Sequence, residues 1–181
     1  MRLIRKTDMK QGRWRNGLGV SWDIADWPEG SSAGTFGWRF ALARIESDVA
    51  FSAYPETDRI FTLVEGDGLD LAFAGRPPLA VDRVHVPHVF PCDIETFCRI
   101  RGRPCIALNL FLHRGAWQAA AEILTDNAEI SHDGPILLFI LGGTAEVNGI
   151  RMEQGDAAIA SSHARIHAGG AMVYVARLTH G

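Results

Sequence analysis

Residues 52–66 read SAYPETDRIFTLVEG, and the fold turns on them. Pro55 and the polar Glu56, Thr57 and Asp58 break the chain. Arg59 to Val64 then forms a nearly continuous apolar run, too short for a helix and stopped by Glu65-Gly66-Asp67-Gly68. A run of that length between turn residues reads as a strand. The glycines that close it supply the positive φ angles a tight hairpin needs.

The same grammar extends outward from Trp14 to Leu112. Val20 to Ala25, Phe36 to Ile45, Gly68 to Ala72, Thr96 to Arg101 and Cys105 to Leu112 are further candidate strands, with Asn16-Gly17 and Ala74-Gly75 as additional turns. Residues 115–124, GAWQAAAEIL, are rich in strong helix formers but poorly periodic, so they are read as a strand or a single helical connection. A second β series follows in Ile136 to Leu141, Thr144 to Val147, Ala157 to Ala160 and Met172 to Leu178. Gly142-Gly143, Asn148-Gly149 and Gly155-Asp156 join its members. Leu63 to Phe73 has a similar order of strand, glycine turn and strand, which suggests an internal duplication. The expectation is an all-β chain of two stacked barrels, residues 1–114 and 115–181. The boundary falls between Arg114 and Asp133, and exchange of strands between the halves is left open.

Composition limits the functions available. Apolar residues are 47% and charged residues 22% of the 181, the balance of a packed globular protein. A net charge of −3, with no lysine or arginine cluster, offers nothing to a phosphate backbone or an anionic membrane. Cys92, Cys98 and Cys105 are odd in number, lack CxxC spacing and lie in apolar strand-like segments, so they read as reduced core thiols. The opening MRLIRKTDMKQGRW has no apolar run of signal-peptide length and no segment approaches a membrane span, which makes the cytoplasm the expected location.

The spacing within residues 52–66 carries a second message. Metal sites of cupin barrels come from a motif H-x-H-x4-E-x6-G, whose ligands alternate into the lumen. Laid on this chain without a gap, the two histidines become Ser52 and Tyr54, the glutamate becomes Arg59, and the closing glycine is Gly66. A guanidinium has five donors and no acceptor, so it cannot ligate a metal. A position that elsewhere holds a cation would here hold an anion, and a planar fork of donors suits a carboxylate.

Two more polar residues fall on strands expected to be buried. Arg39 alternates with Gly37, Ala41 and Ala43, opposite Trp38, Phe40 and Leu42; Asn109 shares a face with Cys105 and Ala107. Both would line a roomy lumen if the bulky faces pack outward. Each has a structural alternative: the arginines capping carbonyls or pairing with an aspartate, and Asn109 as a satisfied core amide. His85 and His88 flank Pro87 with no third ligand at hand, and His163 and His167 sit in a loop-like stretch, so neither pair makes a convincing metal site. Ser52 has no G-x-S-x-G elbow and no histidine in its motif.

Several quoted runs, taken in order, resemble the HutD/Ves family: Trp14-Arg15-Asn16-Gly17-Leu18-Gly19-Val20-Ser21, Phe36-Gly37-Trp38-Arg39, Phe51-Ser52-Ala53-Tyr54-Pro55, Asp58-Arg59, Leu63-Val64-Glu65-Gly66-Asp67-Gly68, Leu108-Asn109 and His113-Arg114. The resemblance covers most of residues 10–115. It implies a bicupin fold, no established catalytic activity, and in some bacteria a link to histidine utilisation through binding of an intermediate such as urocanate or a formylated glutamate; other members are described as stress-induced. Carried over residue by residue, the family's pocket motifs fall on Asn16, Arg39, Ser52 and Arg59, with Trp38 and Phe51 as apolar neighbours. The chain departs from the pattern at Pro55-Glu56-Thr57, at Phe90-Pro91-Cys92-Asp93 and at Ala107, where the family has an aspartate that would partner an arginine.

The expectation is therefore a non-catalytic bicupin that binds a small carboxylate in its N-terminal barrel, with no metal and no cofactor. Arg59 and Arg39 would clasp the carboxylate, Ser52 and Asn16 would hydrogen-bond it, Trp38 or Phe51 would cover its apolar part, and Asn109 would line the lumen. The rivals are a metal-dependent cupin isomerase or hydrolase using the loop histidines, and an interaction module presenting Trp22, Trp27 and Trp117. A homodimer paired through strand edges is expected of the class.

Overall fold

The computed structural model describes residues 1–14, 18–31 and 34–181, so Asn16 and the Asn16-Gly17 turn lie outside the described residues. In chain order the strands are β1 (Arg2–Ile4), β2 (Lys10–Arg13), β3 (Gly19–Trp27), β4 (Trp38–Ile45), β5 (Val49–Ala50), β6 (Thr57–Glu65), β7 (Leu69–Phe73), β8 (Arg76–Val81), β9 (Pro87–Pro91), β10 (Thr96–Ile100), β11 (Cys105–His113), β12 (Trp117–Leu124), β13 (Ala128–Ser131), β14 (Ile136–Gly142), β15 (Thr144–Val147), β16 (Ile150–Glu153), β17 (Ala157–Ala160), β18 (His163–His167) and β19 (Met172–His180). A single 3-10 turn at Lys6–Asp8 is the only helical element among the described residues. No helix there is long and apolar enough to cross a membrane.

The chain divides into two units, residues 10–116 and residues 1–9 together with 117–181. Each is a cupin-like sandwich of two antiparallel sheets rather than a closed barrel. In the first unit, a sheet ordered β2-β3-β4-β11-β6-β9 faces one ordered β5-β10-β7-β8. Period-two alternation sends Ile45, Phe61, Leu63, Cys105 and Ala107 of the larger sheet and Leu69, Leu71, Val81 and Cys98 of the smaller one into a shared core. All three cysteines are free and buried. Burial, reinforced by the neighbouring Cys105, pushes the Cys98 thiol up to about 12.

In the second unit, a sheet ordered β1-β17-β14-β19-β12 faces one ordered β13-β18-β15-β16. Ile136, Leu138, Ile140, Val173 and Val175 from the first pack on Val147, Met152, Ala164 and Ile166 from the second. The ambiguous segment at 115–124 is strand β12. It pairs with β19 along its whole length, from Trp117 opposite His180 to Leu124 opposite Val173. Ladder hydrogen bonds with a neighbour outweigh the few tenths of a kcal/mol per residue by which its alanines favour helix.

Residues 1–9, which the sequence places with the N-terminal barrel, belong to the second unit. Arg2, Leu3 and Ile4 pair with Ile159, Ala158 and Ala157. Asp156, 6% exposed, fixes the end of this strand. Its carboxylate accepts from the backbone N–H of Lys6 at 3.1 Å, that of Glu153 at 3.0 Å and Arg5 Nη1 at 2.7 Å. Burial alone would raise its pKa, but the hydrogen bonds from Glu153, Lys6 and Arg5 hold it below the ordinary value of 3.8. A folded pKa below the unfolded one contributes stability that is present above the unfolded value and is lost as pH falls through the folded value. Asp156→Ala is expected to cost about 2–3 kcal/mol at neutral pH, the effect of unmaking several charge-assisted hydrogen bonds. Thermal melts should show the gap between variant and wild type closing as pH is lowered below 4; a gap unchanged by acid would contradict the assignment.

Candidate functional site

The larger sheet of the first unit carries a cavity of about 630 Å³ on its inner face. Register orders the residues in and beside it into two adjacent rows across the strands. One row runs Arg39 on β4, Phe111 on β11, Arg59 on β6 and Phe90 on β9. The next runs Asp23 on β3, Ala41, Asn109 and Phe61. Ala41 and Ala43 keep the floor low, so side chains from neighbouring strands look into open space. Residues 51–55 border it from a segment held by backbone hydrogen bonds, Phe51 N–H to Thr96 O at 2.9 Å and Tyr54 N–H to Cys92 O at 3.0 Å.

Arg59 is 5% exposed, an expensive place for a cation. Because β11 and β9 flank β6, Phe111 and Phe90 stand on either side of it. Their ring centroids lie 4.6 Å and 5.5 Å from the guanidinium carbon, and Phe51 adds a third ring at 4.8 Å. Such contacts contribute roughly 0.5–2 kcal/mol each. Its Nε–H donates to Cys92 Sγ at 3.1 Å. Burial raises the Cys92 pKa more than Arg59 lowers it, so the thiol stays neutral and leaves the arginine's charge intact. Among the described residues no carboxylate lies in ion-pair range of Arg59, and no protein acceptor takes its Nη hydrogens.

Arg39 lines the same cavity but is already paired. Its Nε donates to Asp23 Oδ1 at 3.1 Å and its Nη2 to the same oxygen. Asn109, 3% exposed, donates from Nδ2 to the Ala107 carbonyl at 3.2 Å, which leaves its Oδ1 without a partner among the described residues. Ser52 is exposed at the rim, and no described histidine or carboxylate hydrogen-bonds it, as an activated serine would require.

Trp38 is placed elsewhere. It is 3% exposed, alternates with Arg39 on β4 and does not line the cavity; its Nε1 has no partner among the described residues. Ala107 needs a similar correction. It sits in the core beside Leu63 and Cys105, four residues from Phe111 and hence about 13 Å along the strand from the arginine row. An acid there would not meet Arg59. Tyr54, at the motif's second histidine position, lines the cavity, and so does Phe111, which the sequence reading does not single out. With Phe36 they form an aromatic cluster, Tyr54 to Phe111 at 5.3 Å and Tyr54 to Phe36 at 5.7 Å between centroids.

No group of three or more His, Cys, Asp or Glu side chains able to hold a metal occurs among the described residues. Burial, then the nearby Arg83, pushes the His88 pKa down. His163 contacts Glu129 at 3.0 Å on the exposed side of β18.

Two cupin-like sandwiches in one chain, the first with an arginine where the cupin motif has its glutamate, define a bicupin with an altered lumen. The chain belongs to the HutD family, whose sequence profile matches residues 6–174. It is similar to a Pseudomonas putida protein described as an uncharacterized 21.2 kDa protein in the hutC 3' region, 28% identical over 152 residues, covering 82% of this chain and 77% of that protein. It is also similar to protein Ves of Citrobacter koseri, 27% identical over 168 residues, covering 76% and 85% respectively. The fold matches that of HutD from Pseudomonas fluorescens SBW25, solved in a formate condition, with a TM-score of 0.88 at 21% identity and coverage of 99% and 98%.

Proposed function

We propose that the cavity of the first unit binds a small carboxylate, without metal and without catalysing a reaction. The ligand in this reading is an intermediate of histidine utilisation such as urocanate or formylglutamate, through which the protein modulates that pathway. The observation that carries the reading is Arg59: a cation 5% exposed, walled by three phenyl rings and with no carboxylate partner among the described residues. A buried charge without a counter-ion is costly, and a ligand carboxylate taking both Nη groups in bidentate geometry removes that cost. Asn109 Oδ1 is a second polar contact one row away. The family membership and the hutC-region relative support the connection with histidine utilisation.

Calorimetry with urocanate, formylglutamate and formate on chelator-treated protein tests the reading. Saturable binding of at least one, unchanged by added divalent metal, is expected. If none binds, or if binding appears only with a metal, the proposal fails.

A further inference from the structure

We infer that Asp23 sets the charge of the ligand the cavity accepts, by neutralising Arg39 and leaving Arg59 as the buried cation, among the described residues, that meets an anion. This rests on the carboxylate reading of the same cavity. Arg39 and Arg59 lie in one row of the sheet on β4 and β6, with Phe111 of β11 between them. Two strand spacings separate them, roughly 10 Å. A ligand with carboxylates at both ends of a short chain would meet two guanidinium groups there if both were free.

They are not both free. Asp23 stands on β3, on the far side of β4 from Arg59, and its Oδ1 accepts from both Nε and Nη2 of Arg39. The pair therefore draws the Arg39 head away from Arg59 as well as neutralising it. The Arg39 side chain is 20% exposed and that of Asp23 54%, so the carboxylate lies outward of the guanidinium and does not itself line the cavity. Asp23 is thus a positioning residue that acts through Arg39. A second ligand carboxylate approaching Arg39 meets the field of Asp23, whereas a neutral group in the same place meets a closed ion pair. Arg13, exposed at the rim, adds a solvent-screened attraction that grows with the ligand's charge but is the same in every Asp23 variant, so it cancels when their affinity ratios are compared.

The test compares glutarate with its monomethyl ester, two probes of one chain length that differ by one charge. Formate, too short to span both arginines, is the control. Wild type, Asp23→Asn and Asp23→Glu are titrated calorimetrically at one pH and ionic strength. Asp23→Asn keeps an oxygen acceptor for Arg39 and removes the charge; it should raise the ratio of glutarate to monoester affinity about two- to fivefold, the scale of a charge pair whose carboxylate is more than half exposed. Asp23→Glu should restore the wild-type ratio, and formate affinity should be the same in all three. A purely structural role for Asp23 would move all probes together.

If formate binds but the ratio is equal in all three proteins, or neither five-carbon probe binds in any of them, the assignment to Asp23 is overturned while the carboxylate reading stands. If no carboxylate binds wild type, that reading fails and this inference with it.

Discussion

Arg59→Met should lower the affinity of the cavity for its carboxylate by about 30- to 5,000-fold while leaving the protein as stable as wild type or more so. The first half follows from the loss of a buried charged contact, which costs about 2–5 kcal/mol. The second follows from what surrounds the side chain. Methionine has a similar reach, and Phe51, Phe90 and Phe111 offer it an apolar slot in place of the cation they now flank. Replacing a desolvated charge that has no counter-ion among the described residues by an apolar group removes a penalty without opening a large void. A residue kept for structure behaves in the opposite way, losing stability with its contacts. Arg59→Lys should fall between, since an ammonium keeps the charge but lacks the planar fork. Calorimetry and thermal melts on the same preparations read both quantities. Unchanged affinity in Arg59→Met, or a melting point several degrees lower, would count against the role assigned here.

The side of each strand that faces the cavity was legible because β residues alternate, and Arg39, Asn109 and Arg59 all follow that rule. Phe111 was equally readable, two residues from Asn109 on the same strand. Trp38 entered through the family resemblance, although its position next to Arg39 already put it on the opposite face. Tyr54 obeys no periodicity, since it lies in an irregular segment oriented by a backbone bond to Cys92. Asp23 was hidden for another reason: it finds Arg39 through the register of β3 against β4, and a bulge between Asp23 and Ala25 shifts that register by a residue.

Prolines conceal two edge strands in this chain. Pro87 and Pro91 make residues 85–91 look like a broken loop, yet Pro87–Pro91 is strand β9, paired with β6 only and so free to leave proline's missing donor on the open side. Pro77 and Pro78 conceal β8 at the edge of the smaller sheet; consecutive residues alternate, so only one can turn its missing donor to the open side, and the register shift against β7 between Leu71 and Phe73 falls opposite this pair. The sheet edges were therefore among the least visible parts of the sequence, together with β18, whose glycine- and serine-flanked residues 163–167 look loop-like although the strand lies between β13 and β15. The central strands β4, β6, β11, β14 and β19, buried on both faces, were the most visible.

Gly66→Ala should destabilise the first unit by roughly 2–6 kcal/mol, well above the same change at Gly75. Gly66 ends the motif at 52–66, in the turn between β6 and β7, with φ +119. An L side chain is strained at that angle by about 1–3 kcal/mol. Space is the second obstacle. A Cβ would lie 2.6 Å from Cys105 Sγ and 2.9 Å from Cys105 Cα, and a completely buried residue of the central strand β11 has nowhere to go. Overpacking of this kind adds about 1–3 kcal/mol. Gly75 also has a positive φ, +70, but nothing lies within 4 Å of its would-be Cβ, so Gly75→Ala should cost only about 1 kcal/mol. Urea unfolding followed by tryptophan fluorescence compares the two variants, and equal midpoints would refute the steric argument. The contrast also separates two reasons for a glycine at this place. In a metal-binding cupin the motif's histidines, glutamate and glycine occur together, and the glycine passes for part of the metal site. Here Ser52, Tyr54 and Arg59 occupy the ligand positions, and the glycine is still required because the hairpin must pass against the backbone of Cys105.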